Sequence, residues 1–340
     1  MAQLSINQKG KNQIVVYVLI GKRKVDTNSL IDRLVAAGAM EHTIVVSANI
    51  FDSLTQSYLA PYAACAMAEY LWHQGRDVII IYDDLSAHAE AYRELSLLQD
   101  VDPGRDSYPG DMFYAHSSLL ERAGKLLEGG HTLTALPVIM TPNDDITAYL
   151  PTAVMSITDG QIIFDLKSFR QGVRPAVNAG LSVSRVGGDA QTVRQKHLSG
   201  NLFKKLAKYH QAEEFSHFGS SLSAEATLDL QLGGQIYEAL KQKPDMLFSL
   251  TEQQLLLETV LSGEGKNKLN IDGLKASTKE VAGQVKDEAD FDRLEAELLK
   301  THSIGVPPAD LHPAAAVATE QASDATKPAK AAKKEKHAKS

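Results

Sequence analysis

The chain has 340 residues, a mass of 36.9 kDa and a formal net charge of −7, and its length predicts two or three domains. Its single cysteine, Cys65, excludes a disulfide framework and a cysteine-rich zinc site, and the negative charge excludes a nucleic-acid-binding polycation. No apolar run reaches the roughly 18 residues of a membrane span. We therefore expect no nucleic-acid partner and no direct membrane span.

The first half of the chain alternates strand-like and helix-like segments. The apolar, β-branched run at residues 14–20 ends at Gly21 and is typical of a strand buried on both faces. Further strands are predicted at residues 43–48, 78–82, 133–140 and 153–157, with a hairpin turn at Asp159-Gly160 after the last. Helices are predicted from the capping residues 26–29 onward and at residues 57–73, 87–98 and 111–127. Cys65 lies in the second of these and is expected to be a buried helix residue. This alternation indicates an α/β fold with a mostly parallel sheet and helices on both faces.

The second half contains helical patterns and no strong strand. Helices are predicted at residues 202–218, 226–240, 251–261 and 291–300. Residues 305–340 are rich in Ala, Pro and Lys and poor in large apolar side chains, so we expect a disordered basic tail. The expected organisation is an α/β domain at residues 1–193, an all-α domain at residues 194–304 and the tail at residues 305–340.

A pair of acids ends the third predicted strand. Asp83 and Asp84 follow the apolar run at residues 78–82, and ligands of open α/β sheets bind beyond the carboxyl ends of strands. A carboxylate there can hold Mg²⁺, directly or through water, against substrate phosphates. Many buried strands also end in Asp because the chain turns into solvent. The chain contains no G-x-x-x-x-G-K-[ST] phosphate loop.

The segment at residues 174–188 is the most unusual stretch. It holds few large apolar residues, and Arg185 lies among small and hydroxylated ones. Such an arginine can approach a ligand and supply charge to a phosphoryl-transfer transition state. The alternative is a polar loop with a solvated arginine.

Several motifs in this segment and elsewhere resemble one protein family. PAVN at residues 175–178, followed by SVSRVGG at residues 182–188, matches the signature of F-type ATP synthase alpha and beta subunits, and the second part resembles alpha in particular. Further stretches agree in order and spacing: YLAPYA (58–63), IYDDLS (81–86), YPGD (108–111), LLERA (119–123) and SITDGQ (156–161). The chain is thus similar to alpha subunits over residues 6–261.

The resemblance implies a RecA-like P-loop NTPase core followed by a helical C-terminal domain. It also implies a ring of three alpha and three beta subunits with a central-stalk gamma subunit and peripheral-stalk subunits. In that ring beta holds the main catalytic sites, and alpha's own, regulatory sites bind ATP or ADP with Mg²⁺ without turnover. The complex couples ATP synthesis or hydrolysis to ion translocation. We expect it to lie peripherally on the cytoplasmic side of the energy-coupling membrane.

The resemblance also assigns roles to individual residues. Arg185 falls on the alpha arginine that reaches across the subunit interface into the catalytic site, and Ser182 falls on a nearby serine that activity requires. Asp83 falls on the acid associated with Mg²⁺, by an indirect contact. Three positions fall beside the adenine pocket of alpha's own site: Arg174, Pro175 and Gln242.

The sequence also departs from the family pattern. Residues 7–12 resemble the segment that follows the family's phosphate loop, so we expect an incomplete core without that loop or the N-terminal β-barrel. Residues 22–25 differ from the usual family sequence, and Pro244 replaces a second glutamine near the adenine pocket. Because the loop's N–H groups and lysine supply most phosphate contacts, we expect the isolated chain to bind ATP weakly and to be inactive.

Two alternatives remain open. A truncated paralogue or gene fragment would pack beside beta without binding nucleotide. A ring ATPase of secretion or transcription termination would share the core, although the sequence at residues 182–188 favours an alpha subunit.

Overall fold

The apolar run after residue 13 forms the interior of a five-stranded sheet. In the computed structural model, which describes residues 1–217, 223–243 and 246–304, strand β1 (Gln13–Lys22) buries the consecutive residues 15–20. A strand that is apolar on both faces needs cover from both sides, which a parallel sheet with helices on each face provides. The other strands are β2 (Thr43–Asn49), β3 (Asp77–Asp83), β4 (Gly124–Lys125) and β5 (Thr132–Pro137).

The sheet has the strand order β2-β1-β3-β5-β4. The first four strands in this order run parallel, and β4 pairs antiparallel with β5. In one row across the parallel strands, Ile44, Val16, Ile80 and Ala135 lie side by side. The carboxyl ends of β1 and β3 therefore meet at the same edge of the sheet.

Helices cover both faces of this sheet. On one face, residues 16, 18 and 20 of β1 cluster with Ala64 and Trp72, and on the other face residues 15, 17 and 19 pack with Leu4 and Leu30. The helices of this half are α1 (Ala2–Ile6), α2 (Lys24–Ala36), α3 (Leu54–His73), α4 (Leu85–Leu98), α5 (Met112–Leu120), α6 (Tyr149–Ile157) and α7 (Leu166–Arg170). Cys65 is buried in α3, as predicted.

One predicted strand is wrong. Residues 153–157 form the end of α6, where Leu150, Ala153 and Val154 are buried at helical spacing. A short apolar run looks the same in a buried strand and in a turn and a half of buried helix. The hairpin at residues 159–160 is also wrong, because β6 (Gly160–Gln161) pairs with the distant β7 (Val183–Ser184) and not with a strand directly before it. The helix predicted at residues 111–127 is also shorter and ends at Leu120.

The second half is helical, as predicted. It consists of α8 (Val193–His217), α9 (Ala224–Leu240), α10 (Leu250–Ser262), α11 (Ile271–Val281) and α12 (Glu288–His302). Its core includes the fully buried Ile236, Leu255 and Leu274. Gly233 lets α8 and α9 approach closely, since a Cβ there would lie 2.1 Å from Cδ2 of Tyr209. The predicted disordered tail and Phe218 lie outside the described residues.

Two histidines form a buried pair between α4 and α5. Nδ1 of His88 lies 3.3 Å from Nε2 of His116, and Nε2 of His88 lies 3.2 Å from the carbonyl of Tyr58. Burial lowers the pKa of His88 to about 4, and burial together with the neighbouring His88 lowers the pKa of His116 to about 3. Both rings are therefore neutral at pH 7.

We predict that this pair makes the sheet domain sensitive to acid. Below the ordinary histidine pKa of about 6.5 the unfolded chain binds more protons than the folded one, so stability falls as pH decreases toward 4. Between pH 7 and pH 5 the loss should be about 2 kcal/mol per histidine. The free energy of unfolding is measured at each pH by urea unfolding, followed by the fluorescence of Trp72. Trp72 is the only tryptophan of the sequence and belongs to the apolar core of the sheet domain.

The variant His116→Gln should show about half of this pH dependence, whatever its stability at pH 7. The matched control is His197→Gln, which removes an exposed imidazole on α8 and leaves both buried rings and the neighbours of Trp72 in place. It should leave the pH dependence unchanged. Equal stability of the unaltered chain at pH 7 and pH 5 would contradict the prediction.

Candidate functional site

The two acids predicted at the end of the third strand lie beside a lysine of the neighbouring strand. Asp83 is the last residue of β3 and is paired in register with Leu19 of β1. The strand β1 continues to Lys22 after a register shift at Gly21, whose φ of +64° is accessible to glycine without strain. This bend places Lys22 at the acidic edge of the sheet.

The lysine ammonium lies between both carboxylates. Nζ of Lys22 is 2.8 Å from Oδ1 of Asp83 and 2.9 Å from Oδ2 of Asp84. Burial lowers the pKa of Lys22, but the hydrogen bonds and charges of the two aspartates outweigh burial, so the pKa is raised above its ordinary value. Lys22 is therefore positively charged at neutral pH.

The two remaining carboxylate oxygens also accept hydrogen bonds. Tyr17 donates to Oδ2 of Asp83 at 2.9 Å, and the backbone N–H of Ala87 donates to Oδ1 of Asp84 at 2.7 Å. The second contact caps α4, which stabilises a helix by about 1 kcal/mol. Burial and the neighbouring Asp83 raise the pKa of Tyr17 far above its usual value, so its hydroxyl stays a donor.

These residues do not fit a directly bound Mg²⁺ ion. Each of the four oxygens has a donor, and a cation already occupies the space between the two carboxylates. Over the described ranges of the chain, no group of three or more His, Cys, Asp or Glu side chains is placed to hold a metal ion. The association of Asp83 with Mg²⁺ through an indirect contact stays a prediction.

The residues predicted beside the adenine pocket lie together. The backbone N–H of Gln242, just after α9, donates to the carbonyl of Arg174 at 2.6 Å, and the bond from Arg174 to Pro175 is cis. The Arg174 guanidinium lies 3.5 Å above the Phe169 ring and donates to the carbonyls of Phe169 and Val173 at 2.7 and 2.8 Å. The helical half thus directly contacts a loop of the α/β half.

Ser182 fastens the 174–188 loop to the preceding segment. Its hydroxyl donates to the carbonyl of Asn178 at 2.7 Å and accepts from the backbone N–H of Ile163 at 3.0 Å. A second link is the bond from the N–H of Asn178 to the carbonyl of Ile163 at 2.8 Å. This geometry makes Ser182 a residue that positions the loop.

Arg185 is exposed at the end of this fastened loop. Its backbone N–H donates to the carbonyl of Asp159 at 2.7 Å, and its guanidinium donates to the carbonyls of Met155 and Ser156 at 3.0 and 3.3 Å. These two carbonyls belong to the last turn of α6, the negative end of its helix dipole. The helix end therefore holds a permanently charged side chain at the surface.

Sequence reasoning identified the acids of this site but not their partners. Lys22 and Tyr17 lie on β1, more than 60 residues from Asp83 in sequence. The only sequence signal was a cluster of basic residues directly after the apolar strand. Strand order and register, which bring Lys22 to Asp83, are not visible in that signal.

The fold and the site together define a class of protein. A mostly parallel sheet that is covered by helices and followed by a helical domain is an α/β architecture, which binds ligands beyond the carboxyl ends of its strands. None of the helices in the described part of the chain has the length and apolar composition that a membrane crossing requires.

Sequence comparison specifies the class further. Residues 1–184 match the ATP synthase alpha/beta family, nucleotide-binding domain, and residues 191–304 match the ATP synthase alpha/beta chain, C terminal domain. The chain therefore belongs to the ATP synthase alpha/beta family.

Curated relatives support the resemblance to alpha subunits. The ATP synthase subunit alpha of Clostridium botulinum strain Hall is 49% identical over 259 residues, which are 76% of this chain and 51% of the relative. The subunit alpha of strain Langeland is 52% identical over 70% of this chain and 47% of the relative. That of strain Alaska E43 is 47% identical over 81% of this chain and 55% of the relative. The chain spans about half the length of these relatives.

We predict that Ser182→Ala loosens the loop that carries Arg185. The change removes both hydrogen bonds of the hydroxyl and should cost about 1 kcal/mol of local stability, because the site is only half-buried. Hydrogen exchange at the amide of Ile163 should accelerate several-fold.

A matched control is Ser156→Ala, since that exposed hydroxyl donates only within α6, to the carbonyl of Thr152. It should leave exchange at Ile163 unchanged. Unaltered protection of Ile163 in Ser182→Ala would show that the hydroxyl does not hold the loop.

Proposed function

We propose that the chain acts as the alpha subunit in the ring of an F-type ATP synthase, where Arg185 completes the catalytic site of an adjacent beta subunit. The observation that carries the proposal is the position of Arg185. Its guanidinium is exposed, yet carbonyls at the end of α6 hold it in place. Family membership supports nucleotide chemistry at such a surface.

The chemistry follows from the charge of the transition state. In phosphoryl transfer, negative charge spreads over the equatorial oxygens of the transferred group. A planar guanidinium can donate two hydrogen bonds to these oxygens, whereas a lysine offers one point charge. An arginine supplied by a neighbouring protein contributes on the order of 10³–10⁵ in turnover in other enzymes. Ser182 assists by fixing the loop.

The chain's own site is proposed to bind ATP or ADP without turnover, as a regulatory site. Arg174, Pro175 and Gln242 would hold the adenine, and the hydrogen bond between Gln242 and Arg174 supports this grouping. The sequence has no G-x-x-x-x-G-K-[ST] loop to bind phosphates, so the isolated chain should bind nucleotide weakly and be inactive. Directly coordinated Mg²⁺ is not part of the proposal, because Lys22 holds both nearby carboxylates.

The proposed partners are beta in a three-plus-three ring, the central-stalk gamma subunit and the peripheral-stalk subunits. The proposed assembly lies peripherally on the cytoplasmic side of the energy-coupling membrane and couples ion translocation to ATP synthesis or hydrolysis. The alternative is a paralogue or gene fragment that packs beside beta without binding nucleotide. Failure of the unaltered chain to form active rings with beta would favour this alternative.

We predict that Arg185→Ala and Arg185→Lys each lower ATP hydrolysis of assembled rings by at least about 100-fold, roughly 2.7 kcal/mol of transition-state stabilisation. Nucleotide affinity at the beta sites should change much less, because the interaction forms mainly in the transition state. Steady-state hydrolysis and nucleotide binding, measured on rings of confirmed size, test this.

The control is Arg170→Ala, which removes an exposed arginine at the end of α7 in the same domain. It should leave hydrolysis nearly normal. Intact Arg185→Ala rings with near-normal hydrolysis would refute the catalytic role of Arg185.

A further inference from the structure

The acidic edge of the sheet carries its own cation. The ammonium of Lys22 contacts Asp83 and Asp84 at 2.8 and 2.9 Å, and the side chains of Lys22 and Asp84 are 26% and 9% exposed. We propose that Lys22 takes the place of a divalent metal ion at this edge, so that the site provides its positive charge without Mg²⁺.

The donor set explains why a metal ion is excluded. Mg²⁺ requires octahedral oxygen coordination at about 2.0–2.1 Å and gives up its water reluctantly. The oxygens of Asp83 and Asp84 already accept from Lys22, Tyr17 and the N–H of Ala87. A metal ion would have to displace the lysine, against the repulsion between two cations in a partly buried site.

The same geometry leaves Lys22 able to act on a ligand. An ammonium group has three N–H donors, and the two aspartates accept from Lys22 here. The third donor is available to an anionic oxygen at the carboxyl edge of the sheet, where α/β proteins bind their ligands. An anionic ligand at this edge would therefore meet a lysine ammonium, and its affinity would depend little on Mg²⁺.

The metal-excluding role of Lys22 is tested on the full chain without nucleotide or beta. Mn²⁺, a probe for Mg²⁺ sites, is titrated and its free fraction is measured by electron paramagnetic resonance. The unaltered chain and Asp83→Asn should bind Mn²⁺ equally. Lys22→Gln leaves the two carboxylates without their cation, so it should bind Mn²⁺ at least about tenfold more tightly than the unaltered chain does. The double variant Lys22→Gln/Asp83→Asn should lack this gain.

The control is Lys24→Gln, since Lys24 is an exposed lysine at the start of α2 and its loss should not change Mn²⁺ binding. Two results would overturn the proposal: loss of a Mn²⁺ site in Asp83→Asn alone, or no gain in folded Lys22→Gln. If Lys22→Gln does not fold, the proposal is tested by the unaltered chain and Asp83→Asn alone, which should bind Mn²⁺ equally. Because no ring is needed, failure here is distinct from failure of the role proposed for Arg185.

Discussion

The ion pairs between one lysine and two aspartates organise the carboxyl edge of the parallel sheet. β3 lies between β1 and β5 in the sheet, and the side chains of Asp83 and Asp84 at its end are only 21% and 9% exposed. Lys22 neutralises one of the two negative charges, Tyr17 hydrogen-bonds Asp83, and Asp84 starts α4 by capping it. Removing one partner of a partly buried ion pair leaves an uncompensated charge, and this loss destabilises the fold by more than the intact pair stabilises it. The end of β1, the end of β3 and the start of α4 therefore depend on one another.

The helical domain supports the site through a second set of contacts. The buried Lys275 of α11 donates to the carbonyls of Glu238 and Lys241, both at 2.7 Å, and so caps the end of α9. The next residue, Gln242, hydrogen-bonds Arg174 of the α/β domain. A lysine at a helix C-terminus satisfies open carbonyls and matches the helix dipole. The position of the predicted adenine-side residues thus depends on a helix more than 30 residues further along the chain.

The sequence predicted the architecture better than the site. The strand β1 could be identified because its apolar run is mostly β-branched and ends at Gly21, and α3 could be identified because its alanine-rich segment is long and ends at residues 74–75. The run at residues 153–157 could not, because five apolar or small residues do not separate a strand from a buried helix. The helix α11 was missed, since Gly273, Ser277 and Thr278 have low helix propensity, although Ile271, Leu274 and Val281 recur at helical spacing. Asp83 was predicted from its place at a strand end, but its pairing with Lys22 depends on strand order and register.

The most direct test of this account is the state of the Lys22 ammonium itself. In ¹⁵N-lysine-labelled full-length chain, side-chain NMR should show an ammonium resonance with slow hydrogen exchange at neutral pH, because its N–H groups are held by two carboxylates. That resonance should be absent in Lys22→Gln, which assigns it, and should exchange much faster in Asp83→Asn. A Lys22 ammonium that exchanges as fast as those of the exposed lysines in the unaltered chain would contradict the account.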